Sequence, residues 1–435
     1  MEMGSDSPKV FVLIPRQSIT GKMFMTKPRT VLLLSTYPIA VPQHGGQVRL
    51  LNIKRAYESA GWKVTPLAVY PEEGYQKSSI GPDDILFPLD SPHRLFNGRH
   101  VPFVTDITSG AFASSEDGGL PQILASISGQ IDVIHVEQPW LWPLAKILRE
   151  RQQYSSSLLV YGSQNIEAPL KRGIFNDWNV VEFEDAIEAV DRLERQAARE
   201  ADLTIAVTQD EVDVLTSWGT NNVKLLPNGI EPWQADEEAI AEWRQRLPKQ
   251  PWLLYVASAH PPNFTGFAQV FGGSLGCFPP TSKLVVAGSV TEHIYRVMNN
   301  TKWSTLNLSR LQLLFPLPDR DLAAVKTLAH GFILPIPFGG GSNIKTAEAL
   351  YSGAYVVGTP SAYRGFESFI DLPEVFVGGN AKEFQRAIRD VLIRPRASPL
   401  QAGSQQLERR KNLRWDVCLA CLPAMVKKLK CEKCA

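Results

Sequence analysis

Phe338-Gly-Gly-Gly-Ser-Asn-Ile-Lys-Thr-Ala-Glu-Ala-Leu350 follows a short apolar run at 332–335, and the pair predicts a strand, a glycine turn and the start of a helix. Such a turn is a cradle for an anion. Gly339, Gly340 and Gly341 let bare backbone N–H groups approach it, Ser342 or Asn343 is placed to cap the helix, and the helix N-terminus adds partial positive charge. Lys345 brings a full charge. Glu348, three residues on, lies near the same helix face with a carboxylate suited to accepting hydrogen bonds from a pair of sugar hydroxyls. A phosphate cradle and a hydroxyl acceptor one turn apart suggest a nucleotide. The nearest competing motif is the P-loop, and residues 339–346 fit it except that Ile344 stands where a glycine must precede the lysine. That mismatch, and the late position in the chain, argue against an ATPase.

With 435 residues the chain exceeds what one core usually holds, and 44% apolar composition suffices to bury two. A net charge of +1 gives no general drive toward nucleic acid. No apolar run approaches the ~18 residues that span a bilayer. These features predict a cytoplasmic protein, with peripheral contact at the inner face of a membrane as the only lipid association. Residues 1–29 read as a loose extension. Four of the five cysteines form Cys418-x2-Cys421 and Cys431-x2-Cys434, but an apolar stripe through Leu413, Val417, Cys421 and Met425 places the first pair on a terminal amphipathic helix, kinked at Pro423. No metal is expected there. Lys427, Lys428 and Lys430 read as its solvated face or as a contact for anionic lipid.

Short apolar strands alternate with helical stretches throughout. Strands are expected at 31–35, 63–69, 131–136, 158–161, 203–207 and 223–226, with helices at 47–60, 139–150 and 181–200. Pro227-Asn-Gly-Ile-Glu-Pro232 has the turn chemistry of a hinge. A second series follows at 252–257, 283–287, 311–314, 332–335 and 355–357. The fold class is therefore α/β, two mostly parallel sheets built one after the other. The division is 1–29, 30–228, 229–408 and a C-terminal helix and tail at 409–435. Ligands of such sheets sit at the carboxyl ends of the strands, so Gly45-Gly46 and the triple glycine would line opposite walls of a cleft.

The run from Phe338 to Gly358, with Arg364-Gly365-Phe366, resembles the donor-binding signature of family four retaining glycosyltransferases, in the subgroup with a Gly-Gly-Gly-x-x-x-Lys-x-x-Glu motif. Gly45-Gly46-Gln47-Val48-Arg49 is similar to the family's first glycine loop, Asp132-Val-Ile-His135 to its fourth strand, and Ser163-Gln-Asn-Ile-Glu167 to a His-Asn-x-Glu segment. Pro262-Asn263 resembles that subgroup's opening of the second domain. The resemblance covers nearly all of the chain after residue 30. It implies the GT-B fold, two Rossmann-like domains facing across a cleft with the C-terminal helix crossing back. It also implies transfer of a hexose-like sugar, with retention and without metal or cofactor, from a nucleotide-diphosphate sugar to a glycan, lipid-linked or small-molecule acceptor. Glu348 would hold the ribose, Asn343 and nearby backbone the diphosphate, and His135 the face of the donor sugar. Lys345 would supply leaving-group charge. Asn263 joins the donor side, and Gly45, Gly46, Arg49, Gln164, Asn165 and Glu167 the acceptor side of the cleft.

Three departures fall in the site, one being that the arginine and lysine that often hold the diphosphate in the family have no clear counterpart in Tyr255 to Gly266. Gly340 stands where the family commonly has a glutamate that contacts the donor sugar, and Gln164 replaces a histidine, which keeps hydrogen bonding but removes proton transfer. A same-fold epimerase of nucleotide sugars and a non-catalytic nucleotide-sugar binder are the alternatives. Asp319-x-Asp321 reads as a helix N-cap and first turn rather than a metal pair. There is no Gly-x-Ser-x-Gly elbow and no His-Glu-x-x-His pair for a hydrolase. Trp140, Trp142, Trp178 and Trp303 read as packing residues.

Overall fold

The computed structural model describes residues 28–259, 261–338, 340–398 and 403–434, so Gly339 and most of the expected N-terminal extension lie outside the described residues. Strands β1 (Thr30–Ser35), β2 (Lys63–Pro71), β3 (Ile85–Phe87), β4 (Val133–Glu137), β5 (Leu158–Gly162), β6 (Leu203–Ala206) and β7 (Val223–Leu225) form a parallel sheet in the order β3-β2-β1-β4-β5-β6-β7. Strands β8 (Trp252–Val256), β9 (Lys283–Ala287), β10 (Leu311–Leu314), β11 (Gly331–Leu334), β12 (Tyr355–Gly358) and β13 (Val375–Val377) form a second one, β10-β9-β8-β11-β12-β13. All pairings within both sheets are parallel. This is the two-domain Rossmann-like architecture of GT-B.

Continuous apolar strands make it so. In β1, Leu32 and Leu34 enter one core while Val31 and Leu33 enter the other, because successive side chains point to opposite faces and helices cover both. The second sheet repeats this, with helix Glu237–Arg246 on one face and helix Ala381–Leu392 on the other. Strand order reverses between β1 and β4, and again between β8 and β11. The loops at the carboxyl ends of those four strands are therefore where a ligand is expected.

The chain returns to its first half at the end. Ile230 N–H donates to Leu413 O at 2.7 Å and Trp415 N–H to Ile230 O at 3.2 Å. A Cβ at Gly229 would lie 2.7 Å from Trp415 N, so the crossing requires glycine there. Trp415, Cys418, Leu419, Leu422 and Val426 then pack with Leu50, Ile53 and Tyr57 under the first sheet.

Several local expectations are corrected. The edge strands β3 and β13, three residues each, carry too short a pattern to be read. The terminal helix is two pieces, Trp415–Cys418 and Leu422–Cys434, with Pro423 in the first turn of the second, where its missing N–H costs nothing. Asp319 is the first residue of helix Asp319–Leu328 rather than its cap, which is Pro318. Trp140 and Trp142 are buried, whereas Trp178 and Trp303 are exposed. Lys430 donates to Ser156 O at 2.6 Å, which leaves Lys427 and Lys428 as the exposed lysines of the three.

Leu422 is fully buried and Cys421 exposed. Leu422→Ala is expected to cost about 2–5 kcal/mol in urea unfolding followed by tryptophan fluorescence. Cys421→Ala should stay within about 0.5 kcal/mol.

Candidate functional site

The glycine turn ends in helix Ile344–Ser352, whose N-cap residue Asn343 makes no side-chain cap bond. Ser342 Oγ is buried without a partner among the described residues, so neither expected cap closes this end. The backbone N–H groups of Ile344 and Lys345 likewise have none there. These three groups, a hydroxyl and two N–H donors left over at a helix start, are thus the ones an anion can take. Lys345 Nζ donates to Asn263 Oδ1, and Asn263 is itself anchored by donating to Ser258 O at 2.9 Å. Asn263 belongs to helix Pro261–Phe271 after β8 and Lys345 follows β11, so the pair spans the second switch point. Burial holds the Lys345 ammonium down at about 8. The cost of keeping that charge dry is what a bound diphosphate would repay.

Glu348 points elsewhere. Its carboxylate pairs with Lys326 Nζ at 2.7 Å, on the flank of the helix, and Lys326 lies over the Trp233 ring at 5.1 Å.

The opposite wall is a buried polar chain. Tyr57 Oη sits 3.1 Å from His135 Nδ1, and His135 Nε2 sits 3.1 Å from Glu137 Oε1. Glu137 Oε2 accepts from Gln164 Nε2 at 2.8 Å and faces Arg49 Nε at 3.5 Å, while Gln164 also donates to Tyr37 Oη at 2.6 Å. Burial raises the Glu137 carboxyl, but Arg49, His135 and Gln164 outweigh it and hold the group below the usual carboxylate range. His135 has no exposed surface and both ring nitrogens are engaged, so the structure places it behind the wall rather than on it. Arg49, also buried, ties the wall to the hinge by donating to Leu226 O at 3.1 Å and Asn228 Oδ1 at 3.0 Å. Beside this chain, Glu167 accepts from Gln138 at 3.0 Å and Asn165 at 3.3 Å, and burial pushes its carboxyl up to about 7.

The two walls touch at the glycine turns. A Cβ on Gly340 would lie 2.8 Å from Asn165 Oδ1, and one on Gly341, at φ +60°, 2.5 Å from Gln164 O. Gly45 faces Ile344, and Gly46 faces Gln164 and Tyr37, each with room for no more than a slightly displaced methyl. Asn228 Nδ2 donates to Ser342 O at 3.2 Å. Glu211 does most to join them: one oxygen accepts from Val207 and Thr208 N–H, closing the capping box of helix Gln209–Ser217, and the other accepts Gly341 N–H at 3.0 Å. Arg364 holds the turn from behind through Gly341 O at 2.6 Å and Gly340 O at 3.0 Å. Next to the turn, a cavity of about 350 Å³ opens between the domains, walled by Ile166, Pro169, Leu170, Val214 and Phe338 and edged by Arg364.

The expected donor residues Gly340, Gly341, Ser342, Asn343, Lys345 and Asn263 thus meet in one place, as do Gly45, Gly46, Arg49, Gln164, Asn165 and Glu167 opposite them. Tyr37, Glu137, Glu211, Lys326 and Arg364 were not assigned roles. Glu137 was within reach, since His135-x-Glu137 puts both side chains on one face of a strand. Thr208-x-x-Glu211 reads as a capping box, but nothing local reports its second partner 130 residues away.

Residues 44–229 match the family model described as "Glycosyl transferase 4-like domain". The matched domain marks the chain as a transferase. No curated protein matches it. Among solved structures, the chain is similar to sucrose-phosphate synthase from Thermosynechococcus elongatus, at 15% identity and a TM-score of 0.65 over 93% of this chain and 100% of that one. HepE from Anabaena, solved with UDP and glucose, aligns at 14% identity and a TM-score of 0.57 over 93% and 98%. The catalytic domain of starch synthase IV from Arabidopsis thaliana, solved with ADP and acarbose, aligns at 11% and 0.57 over 93% and 99%. At such identities these likenesses establish the shared GT-B fold. No helix among the described residues is long and apolar enough to cross a membrane.

Glu211→Ala removes the acceptor shared by both domains and is expected to cost about 1–3 kcal/mol of stability and to speed amide exchange at Gly341, Val207 and Thr208 together. Glu211→Gln, which keeps an acceptor oxygen, should slow exchange back toward wild type at Gly341.

Proposed function

We propose that the protein transfers a hexose-like sugar from a nucleotide-diphosphate sugar to a hydroxyl acceptor. The observation that carries this is the unsatisfied N-terminus of helix Ile344–Ser352, with Ser342 Oγ and the Lys345 ammonium beside it, facing a polar wall across a cleft. The departing diphosphate places its negative charge on those groups, which stabilise it where it develops and without a metal or cofactor. The fold likeness to HepE, solved with UDP and glucose, and to starch synthase IV, solved with ADP and acarbose, supports a nucleotide-sugar donor and leaves the base open.

The donor sugar lies in the cleft beside the contact between the glycine turn and the loop of Gln164, Asn165 and Glu167. Gly340 has no space for a carboxylate on this side, since Asn165 Oδ1 occupies it, so polar contact to the sugar comes from Asn165 and Glu167 instead. His135 acts through Glu137, as a positioning residue. Glu348 reaches the ribose hydroxyls only once its carboxylate turns from Lys326 toward the cleft. The acceptor approaches through the cavity beside Phe338, whose apolar walls suit an aglycone or an aromatic or lipid-linked acceptor. Retention is carried over from the resemblance, and the cytoplasmic location expected from the apolar pattern leaves Lys427 and Lys428 available to an anionic membrane surface.

Calorimetric titration with UDP, GDP, ADP and their glucose and mannose conjugates tests the donor site. One base series should bind, and Lys345→Met should weaken it by about 1.5–3 kcal/mol, the worth of a hydrogen bond to a charged group. Binding by none of them, or binding unchanged in Lys345→Met, sinks the assignment. The pH dependence has a fixed sign. The free protein loses the Lys345 charge as pH rises through about 8, so affinity should fall between pH 7 and 9, and Lys345→Met should flatten that profile. Donor turnover only with an acceptor supports transfer. An isomerised sugar without one would point to an epimerase.

A further inference from the structure

The base of the second sheet carries a separate concentration of charge. A cavity of about 370 Å³ is lined by Arg244, Lys249, His330, Arg394 and Arg396, over a floor that includes the buried Trp252. A neighbouring one of about 380 Å³ shares Arg396 and adds Lys326. No Asp or Glu lines either cavity. Arg244, Lys249, Arg394 and Arg396 form no ion pair among the described residues, although the chain as a whole has nearly equal numbers of acids and bases. Elsewhere on this domain an arginine such as Arg320 is surrounded by Asp236, Glu238 and Glu242. Four exposed, unpaired cations border one concavity, where they repel one another unless an anion joins them.

Local structure holds the group in place. Arg396 donates to Thr327 O at 2.6 Å, Lys249 to Arg244 O at 2.7 Å, and the Arg394 guanidinium lies 4.9 Å from the Phe376 ring centroid. His330 Nε2 is 3.0 Å from Val391 O, and burial lowers its pKa, with a smaller contribution from Arg396. The cavity opens at the start of β8 and β11, whereas the glycine turn follows their carboxyl ends. The length of a four-residue strand separates the two by at least about 13 Å.

We infer that this basic cavity is a second binding site, for a ligand carrying two or more phosphate groups. Its volume is that of a small-molecule pocket rather than of a single ion. The guanidinium forks of Arg244, Arg394 and Arg396 match phosphate oxygens bidentately, and Lys249 adds a point charge. A free polyphosphorylated metabolite and a phosphorylated lipid headgroup present the same chemistry, and the site is built for that chemistry in either form.

The test uses the full chain with inorganic tripolyphosphate in one arm. In the other, phosphatidylcholine vesicles are compared with and without phosphatidylinositol bisphosphate. Lys345→Met weakens the donor turn's own hold on phosphate, and the arginine substitutions separate the two sites. In that background tripolyphosphate should still bind, and Arg394→Ala/Arg396→Ala should weaken it about tenfold or more. Arg244→Ala, whose side chain makes no hydrogen bond among the described residues, gives a second reading that does not disturb the Thr327 contact. Binding to tripolyphosphate alone assigns the site to a free phosphate compound, and co-sedimentation with the bisphosphate vesicles assigns it to a lipid headgroup. Failure of both ligands to bind the Lys345→Met protein, or binding unchanged by both sets of arginine substitutions, overturns the inference.

Discussion

One carboxylate, that of Glu211, accepts hydrogen bonds from both halves of the molecule. With one oxygen it completes the cap of a helix in the first domain, and with the other it takes the N–H of Gly341 in the second. The geometry of the cleft depends on this. The glycine turn, at φ +60° in Gly341, cannot retain its shape against Gln164 and Asn165 with any larger residue, so the domains are set at a separation that only backbone can fill. Burial raises the Glu211 carboxyl, a cost partly offset by its hydrogen bonds, the one from Gly341 foremost.

From that contact the electrostatics of the cleft divide cleanly. The second domain contributes unsatisfied N–H groups and a dehydrated ammonium, both waiting for negative charge. The first contributes a chain in which Tyr57, His135, Glu137, Gln164 and Tyr37 satisfy one another and leave little to titrate at the surface. A buried network of this kind is worth keeping only when fully partnered. Its role here is to hold Gln164 and the loop after β5 stiffly against the glycine turn, so that positioning on one wall meets charge stabilisation on the other.

Much of this was legible in the residues. Apolar strands buried on both faces announce a covered parallel sheet, and turn chemistry at Pro227-Asn-Gly marks the crossing between two of them. The glycine turn and Lys345 were found because anion binding at a helix start is a local property, and Asn263 through the resemblance alone. What was not legible is non-local or marginal. Glu211 is an ordinary capping residue until its second partner is known, β3 and β13 are too short to show a period, and the resemblance puts His135 on the donor sugar while its polarity at a strand end does not say which side of the wall it occupies. Glu348 has the right spacing for the ligand side of its helix, but Lys326, twenty-two residues earlier, draws its carboxylate to the flank.

Sugar transfer by this protein depends on where a diphosphate binds, and a crystal structure of the complex with the tightest-binding nucleoside diphosphate reads that directly. The phosphates should lie at the start of helix Ile344–Ser352, within hydrogen-bonding distance of Ser342 Oγ and the Ile344 and Lys345 N–H groups, with Lys345 Nζ released from Asn263 onto the ligand. Phosphates bound elsewhere, with Ser342 Oγ still unpartnered and Lys345 still donating to Asn263, would contradict it.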